Sequence, residues 1–275
     1  MKKIKIKVFG TSANLGVGFD SFGIRFNIYN TYLFEESKYD ELIGFKEEYQ
    51  KDNLVLSSFK RFLKETNNEE INVRITEIEK AIPEERGLGS SSACIVAGVK
   101  AANYFLGNKY DLDTLINVAT LIEGHPDNVL PALLGGLTAG FIDNEKVYYT
   151  KYKVSRKLHF SVLVPSFSLL TKEARGILPE VIAFKDAIDN LSKASNLGKL
   201  FEEGNIEKIS AVTKSAVHEK YRLPLIQGTK KAKERIEDGK HIVLVSGAGP
   251  SLLVISSKND DIEVEGFKTV KVKVK

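Results

Sequence analysis

With 275 residues, 43% hydrophobic and 28% charged, the chain has the composition of an ordinary globular protein with one large or two modest domains. Its 40 basic and 36 acidic side chains leave a formal charge of +4, too balanced to point to nucleic acid or a membrane surface as a partner. The single cysteine, Cys94, excludes an intramolecular disulfide and a multi-cysteine metal site, and reads as a small buried residue in a reducing compartment.

The opening MKKIKIKVFG alternates Lys with Ile or Val and leads into no apolar core, so it predicts a strand over 3–9 and not a signal peptide. No apolar run approaches membrane-spanning length, and a cytoplasmic protein is expected. Further strands are predicted near 29–35 and over 71–78. Between them NLVLSSFKRFLKET, from Asn53, puts Leu54, Val55, Phe59, Phe62 and Leu63 on one helical face. A helix following the loop at 84–89 continues to about Phe105. YDLDTLINVATLIEG predicts another, capped by Asp111 or Asp113 and stopped at Gly124. GGLTAGFIDNEKVYYTKY reads as a hairpin turning near Asp143 and Asn144, and it closes a first domain near residue 150.

The second half predicts helices at about 179–202, 205–218 and 224–238, divided by Gly198, Gly204 and Pro224. LHFSVLVP, HIVLVSG, SLLVISS and the alternating FKTVKVKVK supply strands around them. Helices interleaved with antiparallel strands predict an α+β fold in two layers. The lysines from Lys268 to Lys275 read as a solvated edge strand, where charge blocks sheet-to-sheet aggregation, in preference to a nucleic-acid patch.

The chemistry begins at EERGLGSSSACIVAG, from Glu84 to Gly98. A helix N-terminus has unpartnered N–H groups and the positive end of the helix dipole, so it can hold a phosphate without the lysine of a Walker loop. Gly87 and Gly89 allow close backbone approach, and Ser90, Ser91 and Ser92 offer hydroxyls to phosphate oxygen or Mg²⁺. A serine-rich helix cap would look much the same.

Other segments add to this. TSANLGVGFDSFG (Thr11 to Gly23), GLGSSSA (Gly87 to Ala93) and SGAGPS (Ser246 to Ser251) resemble, in order, the motifs of the GHMP small-molecule kinases. With EGHPDNVLPALLGG, TKEARGILP and HEKYRLPLI, the chain resembles the homoserine kinase family within that superfamily. The resemblance implies a two-domain α+β fold. An ATP-binding α/β domain over 1–150, like part of a ribosomal protein, would face a ferredoxin-like α+β domain over 151–275, with the site between them. It also implies ATP and Mg²⁺ as cofactors and L-homoserine as acceptor.

Residue by residue, the resemblance assigns Gly87, Leu88, Gly89, Ser90, Ser91 and Ser92 to the ATP phosphates, and Ser91 with Glu123 to Mg²⁺. Glu123 would otherwise be an ordinary surface acid at a helix end. A cation that keeps most of its waters needs only one or two such oxygens. Asn53 matches a position beside the adenine, although Asn also caps the helix that starts there. Arg175 and Arg222 match the arginines of the acceptor pocket, where a planar guanidinium can grip a carboxylate in bidentate fashion. Asn14, Asp20, His125 and Asn128 match the remaining pocket positions. Asp20 could accept the hydroxyl proton, or positioning by Asp20, Asn14 and Asn128 could suffice. Thr171 reads as substrate-facing or as a helix N-cap. SGAGPS, with Gly249, would complete the acceptor site beside the phosphate loop, or simply form a tight turn.

The histidines at 125, 159, 218 and 241 show no metal-ligand spacing, and His218 reads as helix surface. The chain departs from the family pattern at Gly10, at Val17 and at Gln227, and in HEKYR, where proline is usual in the family. Those changes relax loops and bear on affinity more than on reaction type. The rival readings are a kinase for mevalonate or another small alcohol, a ligand-binding protein that kept the fold, and a nucleic-acid binder. A homodimer is carried as an expectation without a sequence signal.

Overall fold

The computed structural model describes residues 2–214, 217–238 and 240–275. Strands β1 (Lys3–Asn14) and β2 (Gly18–Glu36) form a long antiparallel pair. Both run further than the sequence pattern predicts. The alternation stops at Gly10, yet β1 continues through Thr11 and Ser12, which are fully buried, with register irregularities at Phe9/Thr11 and at Ala13/Asn14. The irregularities place polar side chains of the first motif inside the molecule.

The chain then adds β3 (Glu41–Ile43), α1 (Leu54–Glu65) and β4 (Val73–Lys80). Helices α2 (Ser90–Phe105), α3 (Leu112–Glu123) and α4 (Pro126–Leu134) follow, and β5 (Leu137–Asp143) and β6 (Lys146–Tyr152) close the first sheet. Its order is β3-β4-β2-β5-β6, with β1 also paired to β2. Asp111 caps α3 by accepting from Thr114 N, and the hairpin turns at 144–145 as predicted. Two elements were not legible. β3 has only three residues, and α4 carries Pro126 at its start and Pro131 inside it, a pattern that reads as a loop.

The second sheet has the order β10-β7-β9-β8, from β7 (His159–Pro165), β8 (His241–Val245), β9 (Leu252–Ser256) and β10 (Phe267–Val272). Between β7 and β8 come α5 (Thr171–Gly176), α6 (Phe184–Glu203), α7 (Ile206–Thr213), α8 (Glu219–Arg222) and α9 (Thr229–Ile236). Residues 215 and 216 of the helix predicted over 205–218 lie outside the described residues. β10 is an edge strand, as the lysine pattern predicts. Beyond it, Lys273 N donates to Asn27 Oδ1 at 2.7 Å and Val274 bridges to Phe26, so the basic end leaves the edge and docks on β2.

α2 is buried on nearly every side and forms the axis of the core. Its last residue, Phe105, packs against Phe59 of α1 at 5.6 Å between ring centroids, and Phe59 in turn against Phe34 of β2 at 6.0 Å. The same apolar cluster continues through Phe26 and Phe160, 5.8 Å apart, into the second sheet. The proposed division near residue 150 would fall near the end of β6, just before the connection to β7. Among the described residues no helix is long and apolar enough to cross a membrane.

Candidate active site

Three loops from distant parts of the sequence meet at the start of α2. Gly87 and Gly89 hold positive φ values of +68° and +65°. A side chain at Gly87 would run into the Ser246 carbonyl, and one at Gly89 into the Thr11 hydroxyl. These glycines are therefore required by the contact of the protein's own loops, whatever ligand approaches them. Ser246 Oγ lies 2.6 Å from the Gly87 carbonyl and 2.8 Å from Ser12 Oγ, and Gly247 N donates to Ala13 O at 3.2 Å. The SGAGPS loop thus clasps both the first motif and the glycine loop.

Gly89 is the N-cap of α2 and no side chain caps it. The first N–H groups of a 16-residue helix are left for a ligand, with the positive end of its dipole. Ser91 Oγ donates to Glu123 Oε2 at 2.9 Å, and Ser92 Oγ donates to Glu123 Oε1 at 2.6 Å. Ser91 is exposed whereas Ser92 is fully buried, so Ser91 faces outward and Ser92 braces the carboxylate from behind. Glu123 ends α3, where the dipole disfavours a negative charge, and it is held instead against the start of α2. One carboxylate and one accessible hydroxyl are a hard-oxygen pair of the kind Mg²⁺ accepts, so the donor set fits that ion.

A second group of polar residues lies on the first motif. Asn14 and Asp20 both have positive φ, 72° and 52°. Asn14 is buried, donating from Nδ2 to Gly247 O at 2.8 Å and accepting Asp20 N at 3.0 Å. Arg175, from α5, grips both oxygens of Asp20 at 2.9 and 2.8 Å. That contact raises the Arg175 pKa further against the opposing effect of partial burial. Arg222 is 1% exposed and donates from Nε to Ala174 O at 3.1 Å and from Nη1 to Gly247 O at 3.0 Å. Burial, then the neighbouring Arg175, push its pKa down to about 10. Both guanidinium groups face the ring of Phe19, at 5.7 and 5.0 Å.

His218 corrects the surface reading. It is 2% exposed, its ring lies 5.1 Å from that of Phe19, and Nε2 is 2.9 Å from Gly16 O, which it serves as donor. Burial, reinforced by Arg222, pushes its pKa down to about 4. Between pH of about 4 and 6.5 the unfolded chain therefore binds the proton that the folded chain refuses. The stabilisation is complete above the ordinary histidine value and drains away as the pH falls toward 4. Replacing His218 by Gln, which can still donate to Gly16 O, is expected to remove about 3 kcal/mol of this acid-side dependence. Urea denaturation midpoints of both proteins, measured from pH 7 to 4.5, check it.

α4 supplies a third group. His125 precedes it and Asp127 lies in its first turn, with His125 Nδ1 2.6 Å from Asp127 Oδ1. Burial opposes charging of His125, but the hydrogen bond to Asp127 and the charges of Asp127, Glu123 and Asp20 outweigh it, and the net shift is upward. Asn128 Oδ1 accepts from Thr11 Oγ1 at 2.7 Å, which fixes the amide with its nitrogen turned from Thr11.

A single cavity of about 600 Å³ joins these groups. Asn14, Asp20, Asn53, Gly87, Leu88, Gly89, Ser90, Ser91, Glu123, His125, Asn128, Thr171, Arg175 and Arg222 all line it. Ser92 and Gly249 do not; Gly247 and Ala248 stand at the wall in place of Gly249. Thr171 is the exposed first residue of α5 and not its N-cap, which is Leu170. Asn53 is a cap, accepting from Val55 N and Leu56 N, and it borders the cavity as well.

Sequence reasoning missed Asp127, Tyr32, Phe45, Tyr49, Lys80 and Cys94, which share the wall. Asp127 sits inside EGHPDN, and the quoted motif was the available signal for it. Cys94 is half-buried, 3.6 Å from the Tyr32 hydroxyl, and burial pushes its thiol up to about 11, so it is an unreactive wall residue.

Residues 53–136 match the model of the GHMP kinases N terminal domain. The chain is 39% identical over 261 residues to the homoserine kinase of Clostridium beijerinckii, covering 94% of this chain and 88% of that relative. It superposes on the crystal structure of homoserine kinase from Cytophaga hutchinsonii with a TM-score of 0.82 and 29% identity, over 94% of this chain and 87% of the other. Streptococcus pneumoniae phosphomevalonate kinase in complex with phosphomevalonate and AMPPNP shares the fold, with a TM-score of 0.71, 16% identity and coverage of 93% and 92%.

Proposed function

The chain belongs to the homoserine kinase family of the GHMP kinases, and from that premise we propose how its own residues carry the family reaction. That reaction transfers the γ-phosphoryl group of ATP to the side-chain hydroxyl of L-homoserine, giving O-phospho-L-homoserine on the route to threonine. The observation that carries the reading is one cavity lined both by the uncapped start of α2 and by the cluster of Asp20, Arg175 and Arg222. The former suits a polyphosphate, the latter a small zwitterionic acceptor.

Phosphoryl transfer through a loose transition state asks mainly for alignment and neutralisation of charge. The N–H groups of Ser90 and Ser91 and the dipole of α2 would take the phosphate oxygens. Ser91 and Glu123 would hold Mg²⁺, which when bound neutralises charge developing on the β- and γ-phosphates. Glu123, braced by the buried Ser92, would keep its carboxylate in one orientation. Tyr49, Phe45 and Asn53 offer a partly aromatic wall for the adenine.

On the acceptor side, Arg222 is held rigidly by the two carbonyl groups and retains an unused edge of its guanidinium for a carboxylate. Asn128, oriented by Thr11, would donate its Nδ2 to the reacting hydroxyl, and Asn14 would fix the turn that carries Asp20. With both oxygens engaged by Arg175, Asp20 is poorly placed to abstract a proton. We therefore assign Asp20 a positioning role and no base to the reaction, with the hydroxyl proton passing to phosphate oxygen as the bond forms. A cytoplasmic setting accords with this metabolic role.

The test is a coupled ADP-release assay against L-homoserine, L-threonine, L-serine, mevalonate and shikimate. L-Homoserine is expected to lead the panel by at least about tenfold in kcat/KM. Mevalonate in first place would move the chain to another acceptor class. No ADP release with any of them would leave a ligand-binding protein on a kinase fold.

A further inference from the structure

The outer edge of the second sheet carries a buried acid that the reaction does not use. β8 ends the order β10-β7-β9-β8, so among the described residues its outward N–H groups face no further strand. Two carboxyl groups take them instead. Glu237 Oε1 accepts from Val243 N at 3.2 Å, and Glu219 Oε1 accepts from Val245 N at 2.8 Å. Lys233 lies between the two acids, with Nζ 3.5 Å from Glu219 Oε2 and 3.6 Å from Glu237 Oε1. The settings differ, since the side chain of Glu237 is 37% exposed and that of Glu219 only 8%. Burial raises the pKa of Glu219, against the opposing effects of Lys233 and the Val245 N–H. A buried carboxyl group is costly, and capping the edge does not by itself require one, because Glu237 does so from the surface.

What separates the two acids is the element each belongs to. Glu219 opens α8 and Arg222 ends it, one turn later. From that single turn Glu219 holds Val245 N, at the end of β8, while Arg222 Nη1 donates to Gly247 O, two residues further on, at 3.0 Å. Two bonds therefore fix α8 against the start of the SGAGPS loop, where one alone would let the short helix pivot. The same junction carries the rest of the site, because Gly247 O also accepts Asn14 Nδ2 and Ser246 Oγ reaches Gly87 O. Glu237 instead follows α9, which among the described residues contributes nothing to the wall of the active-site cavity.

We propose that Glu219 is a positioning residue for acceptor binding: by accepting from Val245 N it locks α8 to the end of β8 and so aims Arg222 into the cavity, without touching the substrate itself. The proposal rests on the role given to Arg222 in the preceding reading. It places the effect in the bond to Val245 N and not in the charge, since the oxygen of a neutral acid or of an amide can accept the same N–H. The Glu237 cap supplies the matched comparison. It is a bond of the same kind on the same strand edge, joined to no residue of the site.

The experiment measures KM for L-homoserine and for ATP in the wild type, Glu219→Ala, Glu219→Gln and Glu237→Ala. In Glu219→Ala the Val245 N–H loses its acceptor, and KM for L-homoserine is expected to rise about tenfold while KM for ATP stays within about twofold of the wild type. Glu219→Gln keeps an acceptor, and both values are expected to stay within about threefold of the wild type. In Glu237→Ala both are expected to persist, whatever that variant loses in stability. An unchanged KM for L-homoserine in Glu219→Ala overturns the proposal, as does an equal rise for ATP. A Glu219→Gln variant as impaired as Glu219→Ala overturns it too, because the charge and not the bond is then decisive. So does a comparable rise for L-homoserine in Glu237→Ala, which makes the effect a general loosening of the strand edge. If Glu219→Ala fails to fold by circular dichroism, Glu219→Asp, shorter by one methylene, takes its place with the same expected split, and the same outcomes overturn the proposal. A wild type that leaves L-homoserine unphosphorylated refutes the preceding reading and this proposal with it, before any variant is made; an active wild type with any of the other adverse outcomes refutes this proposal alone.

Discussion

Glu123→Gln is expected to lower kcat by about 100- to 1000-fold while the thermal unfolding midpoint stays near the wild type. The side chain accepts two serine hydroxyls, at 2.9 and 2.6 Å, and a hydroxyl can donate or accept, so an amide of the same shape can keep both contacts. What disappears is the formal charge opposite the start of α2. Removing it weakens the hold on a divalent cation, and the loss should be partly relieved by raising Mg²⁺ well above the wild-type requirement. Steady-state kinetics across a Mg²⁺ titration, with ATP saturating, measure it. Near-normal turnover at limiting Mg²⁺ would remove Glu123 from the metal site.

The second large effect belongs to Arg222. Arg222→Ala leaves the buried carbonyl of Ala174 without this donor and takes one of two side-chain donors from Gly247 O, besides opening a cavity. We expect a loss of about 3 to 5 kcal/mol in stability. Arg222→Lys keeps charge and much of the volume but has no planar fork, so it should be milder in stability while raising KM for L-homoserine about tenfold or more. KM for ATP should change little in that variant. Chemical denaturation of both variants and a KM split in Arg222→Lys separate the structural part of the side chain from its part in acceptor binding. A larger effect on ATP than on L-homoserine would assign Arg222 to the phosphates. Its burial makes Arg222 more of a structural tie than the sequence motif indicates, and Arg175, which is partly exposed on α5, makes the cleaner probe of charge alone.

The sequence allowed the start of α2 to be located closely, because a glycine pair, a serine run and an apolar helical face coincide there. It also paired Ser91 with Glu123, but only through the family motifs, since nothing local links residues separated by a loop and a whole helix. The ends of β1 and β2 were hidden because buried polar residues such as Thr11, Ser12 and Asn14 break the two-residue alternation just where the strands enter the site. His218 was misread for a related reason: its partner is the carbonyl of Gly16, 202 residues away, and no periodicity reports such a contact. Asp127 looks like a favourable acid in the first turn of a short helix. Only the three-dimensional arrangement shows that Asp127 pairs with His125 and lines the same cavity as Asp20.

The clasp of the SGAGPS loop also bears on when the enzyme comes into being during synthesis. Its bonds to Asn14 and Ser12 span 233 and 234 residues of sequence. A nascent chain that has emerged as far as α6 already carries the glycine loop, Glu123 and the first motif. It lacks the residues that press them together. Such a chain also lacks Arg222, so the acceptor side of the cavity is incomplete while synthesis is still under way. Closing contacts over so long a separation is also slow, since the loop entropy must be overcome before the bonds form. Catalytic competence should therefore arrive late and abruptly in refolding, after most of the secondary structure has been recovered.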